Sequence, residues 1–194
     1  MRLCLTLALM ALAPLTGIAA PASAEEAQLR LHAAIDEVLA IADKAPNKKV
    51  LMERLEPVLE KNISFGTMTR RAVGPGWRDF KPEQQKSAVA LFTKLVIRSY
   101  GGKFTIGEHP QVLYKSAATP AAGRVEVTTT TVYQGSRYGV VYRMEQDEGW
   151  RTTDVVIEGV SMVANYRSQL DPVFKKGGAS AVLNSLEQSV ARPQ

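Results

Sequence analysis

One cysteine and two histidines are all that the 194 residues offer to soft metals or to disulfide chemistry. Cys4 stands near the N-terminus, and His32 and His109 do not form a His-x-x-x-His pair, so neither a thiolate zinc site nor a disulfide framework is available. Long apolar runs are missing too. Only Leu3 to Leu15 is apolar at length, interrupted by Thr6 and Pro14, and it falls short of the roughly 20 residues that a membrane-spanning helix needs. Charge is close to balanced, with 24 Lys and Arg against 19 Asp and Glu. The basic residues are scattered, apart from the pairs Lys48-Lys49, Arg70-Arg71 and Lys175-Lys176, which is not a nucleic-acid signature.

The first segment reads as a leader. Arg2, the apolar run and the small-residue signal Ala22-Ser23-Ala24 make a secretory signal peptide over residues 1–24. Cys4 lies far ahead of the cleavage site and cannot become a lipidated first residue. The mature chain is expected to run as one domain over 25–194, without cysteine, and to be held by its core alone. Its 170 residues (194 less the 24 of the leader) and its 45% hydrophobic content suit a single packed domain. The loss of Arg2 leaves a mature charge of +4, for which anionic lipid head groups or an acidic docking partner are the sensible targets.

Apolar spacing organises the rest. Leu31, Ile35, Val38, Leu39 and Ala42 recur at three- and four-residue steps and predict a helix over 25–43, ended by Pro46 and Asn47. Residues 50–59 continue in helical register, with a kink or a fresh start expected at Pro57. Phe65 to Val73 is a short helix closed by Gly74-Pro75-Gly76, and Pro82 opens a longer one that runs to Gly101-Gly102. After Gly107 the period changes to two. Residues 112–116, 124–133, 138–146 and 150–158 read as strands of an antiparallel meander joined by short turns. Two helices, 161–174 and 179–190, flank Gly177-Gly178. The fold class is therefore α+β.

The central strands are two-faced. Val125, Val127, Thr129, Thr131, Tyr138, Val140, Tyr142 and Met144 share one side, and Arg124, Glu126, Thr128, Arg137 and Arg143 the other. The apolar side either packs directly on the helices or stands off to admit a hydrophobic ligand. Catalytic groups are hard to find. Asp154 and Glu158 share a side of their strand, but four extended residues hold them about 13 Å apart, too far for a shared acid-base mechanism. Ser161 lacks the second glycine of a nucleophile turn, since Val163 stands there, and it has no obvious base; it is placed to cap the helix that follows. Gly74-Pro75-Gly76 lacks the Lys-Ser/Thr ending of a phosphate loop.

Several spaced segments resemble the MlaC family of periplasmic phospholipid-binding proteins. They are Asp154, Glu158-Gly159-Val160-Ser161 and Asn165-Tyr166-Arg167; Phe65-Gly66-Thr67-Met68-Thr69-Arg70 with Gly74 and Trp77-Arg78; Pro82-Glu83-Gln84-Gln85; and Phe92 with Arg98-Ser99-Tyr100. The match spans nearly the whole mature chain. It implies an α+β fold with a curved sheet, cystatin-like or nuclear transport factor 2-like, and a deep apolar pocket between sheet and helices that holds acyl chains with the head group near the mouth. It further implies a carrier that shuttles phospholipid between an outer-membrane lipoprotein complex and an inner-membrane ABC transporter bearing an MCE-domain ring. Such a carrier maintains outer-membrane lipid asymmetry and is associated with toluene tolerance; the direction of transport stays open.

On that basis the expected sheet wall is Val125, Val127, Tyr138, Val140, Tyr142, Met144, Val155 and Ile157, and the expected helix wall is Phe65, Met68, Leu91, Phe92 and Leu95. Tyr138 and Tyr142 double as gatekeepers, and Arg70, Arg71 and Arg167 are head-group or docking candidates. No cofactor, metal or catalytic residue is expected, and the chain is read as a monomer. Gly101-Gly102, where relatives continue helically, leaves the shape and width of the pocket rim undecided, and a hopanoid or other polycyclic lipid is the alternative cargo. Two rivals remain: an enzyme on the same scaffold using Asp154 or a pocket tyrosine on an apolar substrate, and a periplasmic adaptor with no ligand.

Overall fold

The computed structural model describes residues 21–101, 106–107 and 110–192. Residues 1–20 of the expected leader, Gly102 and His109 lie outside the described residues. Five helices and five strands follow in order: α1 (Pro21–Lys44), α2 (Lys48–Asn62), α3 (Phe65–Val73), a 3-10 segment (Gly74–Asp79), α4 (Pro82–Gly101), β1 (Gln111–Ala121), β2 (Arg124–Tyr133), β3 (Ser136–Asp147), β4 (Gly149–Ile157), β5 (Val160–Ser161) and α5 (Met162–Ala191). The architecture is α+β, with a helical first half, an antiparallel sheet and a C-terminal helical arm.

Local chemistry explains most boundaries. Asn47, read from sequence as the end of α1, instead caps α2, its side chain accepting from the Val50 amide at 3.0 Å. Helix α2 passes through Pro57 without the fresh start expected there. Proline frees the carbonyl four residues back, and both Glu53 and Pro57 are exposed, so water can satisfy it. The last helix has the predicted interruption: Gly177 and Gly178 leave helical geometry, Gly178 at φ 62 and ψ −154, which splits α5 into two arms.

The sheet is a simple meander, β1-β2-β3-β4-β5, with antiparallel neighbours. A bulge in β4 decides which side chains face inward. Arg143 pairs with Asp154 but Met144 pairs with Thr152, leaving Thr153 as the extra residue. Without that bulge Trp150 and Thr152 would share a face with Asp154. With it they join Val155 and Ile157 on the face of Tyr142 and Met144, and residues 152, 153 and 154 are all buried.

Three clusters form the core. The largest joins α3, α4 and α5 through Phe65, Met68, Phe92, Val96, Leu170 and Leu186. At about 1.5–3 kcal/mol per buried large apolar side chain it is the main stabilising body. A second packs Ala27 and Leu31 of α1 onto Val125, Val127, Met144 and Trp150 of the sheet. The third joins the end of α1 to α2 through Ala42, Ala45, Leu51 and Leu55. A short parallel bridge between Ile63 and Thr152, with Ser64 N–H donating to the Thr152 carbonyl at 2.8 Å, ties the α2–α3 junction to β4.

Candidate functional site

Between the second and third clusters the middle of α1 stands off the sheet. Leu31, Ala34, Ile35, Val38 and Leu39 lie at helical spacing along one stripe of α1 and form one wall of a cavity of about 260 Å³. Val58, Leu59, Asn62 and Ile63 of α2 close one side, and Val112, Thr131, Tyr142, Thr152 and Val155 supply the sheet wall. The sheet residues converge because β1–β2 and β3–β4 register places Val112 opposite Thr131 and Tyr142 opposite Val155. The lining is overwhelmingly apolar; its polar residues are Thr131, Tyr142, Thr152 and Asn62, whose buried side-chain oxygen has no hydrogen-bond partner among the described residues. Burial pushes the Tyr142 phenol up to about 12, so it stays neutral and can both donate and accept.

The expected sheet wall is thus only partly the cavity wall. Tyr142 and Val155 line it. Val125, Val127 and Met144 are instead packed against the first turns of α1, and Val140 is buried beside the half-buried Ile157. Tyr138 stands at the strand start, 40% exposed. None of the expected helix wall lines this cavity: Phe65, Met68 and Phe92 lie in the α3–α4–α5 core, with Leu91 and Leu95 packed against it. The helices that face the sheet across open space are α1 and α2. The signal for this was on the page, since Leu31, Ile35, Val38 and Leu39 were already an apolar stripe. What periodicity could not say was which layer each stripe meets.

The arginines also separate. Arg71 does not stand free as a docking group, because its guanidinium holds both Glu145 oxygens at 2.7 and 2.8 Å, with Arg124 3.3 Å away on the same carboxylate. Arg167 lies over Gly74, where an added Cβ would meet its Nε at 3.0 Å, so it covers the turn after α3. Arg70 is exposed and borders a separate surface groove with Phe65.

The polar residues of the β4–α5 junction form a capping network. Asp154, 5% exposed, accepts from Ser161 Oγ at 2.6 Å, from Arg143 at 3.1 Å and from the Val163 amide at 3.1 Å. Ser161 Oγ in turn accepts from the Ala164 amide at 3.0 Å, capping α5. Glu158 sits at positive φ in the turn and its carboxylate accepts from the Gly139 amide. These contacts occupy Asp154 and Ser161 fully at the start of a helix. Among the described residues no cluster of metal-ligating side chains occurs and no helix is long and apolar enough to cross a membrane.

Comparison with known proteins agrees with this architecture. No curated protein matches the chain. Among solved structures, the chain is similar to the phospholipid-binding protein from Ralstonia solanacearum in complex with a phospholipid, at 28% identity, over 86% of this chain and 97% of that one, with a TM-score of 0.79. Residues 32–188 match the family described as MlaC protein, and the chain belongs to that family.

Proposed function

We propose that the protein is a non-enzymatic phospholipid carrier that works in the periplasm and holds acyl chains in the cavity between α1, α2 and the sheet. The observation that carries this reading is the apolar void itself, with its wall of α1 and sheet side chains and its few hydroxyls, in a chain similar to a phospholipid complex. Two acyl chains of about 16 carbons, at roughly 0.8 kcal/mol per methylene, carry on the order of 20 kcal/mol of transfer cost into water, so a soluble shuttle must hide them.

Size adds a mechanical requirement. At about 30 Å³ per methylene, close to a water's share of liquid volume, two such chains need on the order of 1,000 Å³. The cavity is smaller than such a pair of chains. Loading, in this reading, widens the space between the sheet and the stripe from Ala34 to Leu39 that forms one wall of the cavity. In this reading the carrier passes lipid between an outer-membrane lipoprotein complex and an inner-membrane MCE/ABC transporter, and the signal peptide delivers it to that compartment.

Native mass spectrometry of protein purified from its own host tests the reading. Co-purified phospholipid at one molecule per chain is the expected result. A lipid-free protein that also fails to extract labelled phospholipid from vesicles would overturn it, and a bound polycyclic lipid would redirect it to hopanoid transport.

A further inference from the structure

The apolar cavity between α1, α2 and the sheet contains one side chain that an apolar wall does not need. Asn62, the last residue of α2, lines it and is 9% exposed. Its side-chain nitrogen donates to the Val58 carbonyl, one turn back, at 2.8 Å. That bond fixes which way the amide points, because a turned-over amide would set its oxygen against the Val58 carbonyl. Oδ1 is therefore the idle end: it is buried and has no hydrogen-bond partner among the described residues. Two other buried polar atoms lack partners, the Tyr114 phenol oxygen and Trp150 Nε1, but neither residue lines the cavity.

The backbone around Asn62 is held in place. Ile63, the next residue, bridges to Thr152, and the Ser64 amide donates to the Thr152 carbonyl at 2.8 Å, so the end of α2 is pinned to β4. Val58, Leu59 and Ile63 beside it are apolar, and a leucine at 62 would continue that wall. Buried polar groups in folded proteins are nearly all paired, and an acceptor shut away from water is unfavourable until a donor reaches it. An unpaired amide oxygen in a cavity wall thus points to a ligand that brings the donor.

That requirement discriminates among lipids. The ester-linked chains of a diacyl phospholipid carry carbonyl acceptors and methylenes only, and leave Oδ1 unpaired. A fatty-acid anion likewise brings only acceptors, with a charge that no lining residue can pair. A monoacyl glycerophospholipid has a free hydroxyl next to a single ester, so it offers a donor and an acceptor side by side at the head of one chain. Tyr142, whose phenol keeps its proton, stands in the same lining to donate to the ester carbonyl. Size agrees, since about 260 Å³ at about 30 Å³ per methylene takes a large part of one chain and not two side by side.

We infer that the cavity favours a monoacyl glycerophospholipid, whose free hydroxyl donates to Asn62 Oδ1 while its single chain lies along the α1 stripe. The inference rests on the lipid-carrier reading for the cavity being a lipid site, and it names the class of lipid that the site prefers.

The test is isothermal titration calorimetry of the mature protein, below the micelle concentration, with monopalmitoyl glycerophosphoglycerol and with the same molecule bearing hydrogen in place of the free glycerol hydroxyl beside the ester. The hydroxylated probe should bind about tenfold more tightly, and Asn62→Leu should bring the two to equal affinity. Equal binding of both probes by the wild type overturns the inference, as it would if a lodged water already served Oδ1. A preference that survives Asn62→Leu overturns the assignment to Asn62. The wild type alone decides whether the hydroxyl is recognised, so a poorly folding variant does not obscure the answer. Extraction of diacyl phosphatidylglycerol from vesicles judges the carrier reading separately. Extraction without a hydroxyl preference leaves the carrier and sinks the inference; a hydroxyl preference without extraction upholds the inference and sinks a diacyl cargo.

Discussion

Asp154→Ala should destabilise the protein without touching its ligand chemistry. The carboxylate takes three donors at the β4–α5 junction: Ser161 Oγ, the Val163 amide and Arg143. Alanine leaves the buried Val163 amide with no partner, which costs about 1–3 kcal/mol. It also removes the charge-assisted bond that aims Ser161 at the Ala164 amide, worth about 1–2 kcal/mol. Arg143 contributes little, since its side chain is 47% exposed and keeps Glu126 at 2.9 Å. The sum is about 2–5 kcal/mol, and for a chain of this size each kcal/mol lowers Tm by about 2–4 °C. Scanning calorimetry should therefore place Asp154→Ala roughly 4–20 °C below the wild type.

Asp154→Asn keeps one acceptor for the Val163 amide and should lose about half as much. Both variants, assayed well below their transitions, should extract phospholipid as the wild type does. An alanine variant that melts within about 2 °C of the wild type would refute the capping argument. A stable asparagine variant that loses conversion of an apolar substrate would instead revive Asp154 as a catalytic group.

Ala34→Trp places an indole in the cavity wall and should abolish vesicle extraction while leaving the circular dichroism spectrum intact; unimpaired extraction would move the acyl site elsewhere. Tyr142 is held neutral by burial, its phenol pushed up to about 12 from an unfolded value near 10, so its contribution is whole below pH 10 and is lost as pH rises toward 12. Tyr142→Phe should accordingly flatten the fall in urea midpoint across that window, leaving the slope due to Tyr114, which burial also raises to about 12, and to Tyr100 and Tyr166, which burial raises as well. Gly76→Ala would set a Cβ 2.5 Å from the Phe174 ring and should cost about 1–3 kcal/mol in urea unfolding, an effect that Phe174→Leu should reduce.

The fold was legible because its signals are local. Alternation named β2, β3 and β4, Pro82 marked the start of α4, and Gly177-Gly178 marked the break in α5. The cavity was less legible because it depends on which apolar stripe meets the sheet. Phe65, Met68 and Phe92 were expected on the helix wall, but they pack with α5, where large side chains fill the space between three helices. The smaller stripe of α1 leaves a gap. The bulge at Thr153 was invisible to alternation, yet it turns Trp150 and Thr152 inward. Arg71 could not be told from Arg70 by sequence, because its partner Glu145 lies far along the chain.

The unfilled space is itself an argument about function. Apolar side chains that face unfilled space lack packing partners on that side, so the gap of about 260 Å³ between α1 and the sheet forgoes contacts that a filled core would make. Larger side chains at Ala34 or Val38 would close the gap at little structural expense, because the stripe already stands off the sheet there. A chain that keeps small and medium residues along that stripe, while burying Phe92 and Met68 in the helical body, preserves a weak seam beside a strong core. That contrast suits a carrier. The α3–α4–α5 body supplies the stability, and the α1–sheet seam supplies the space and the motion that a lipid requires.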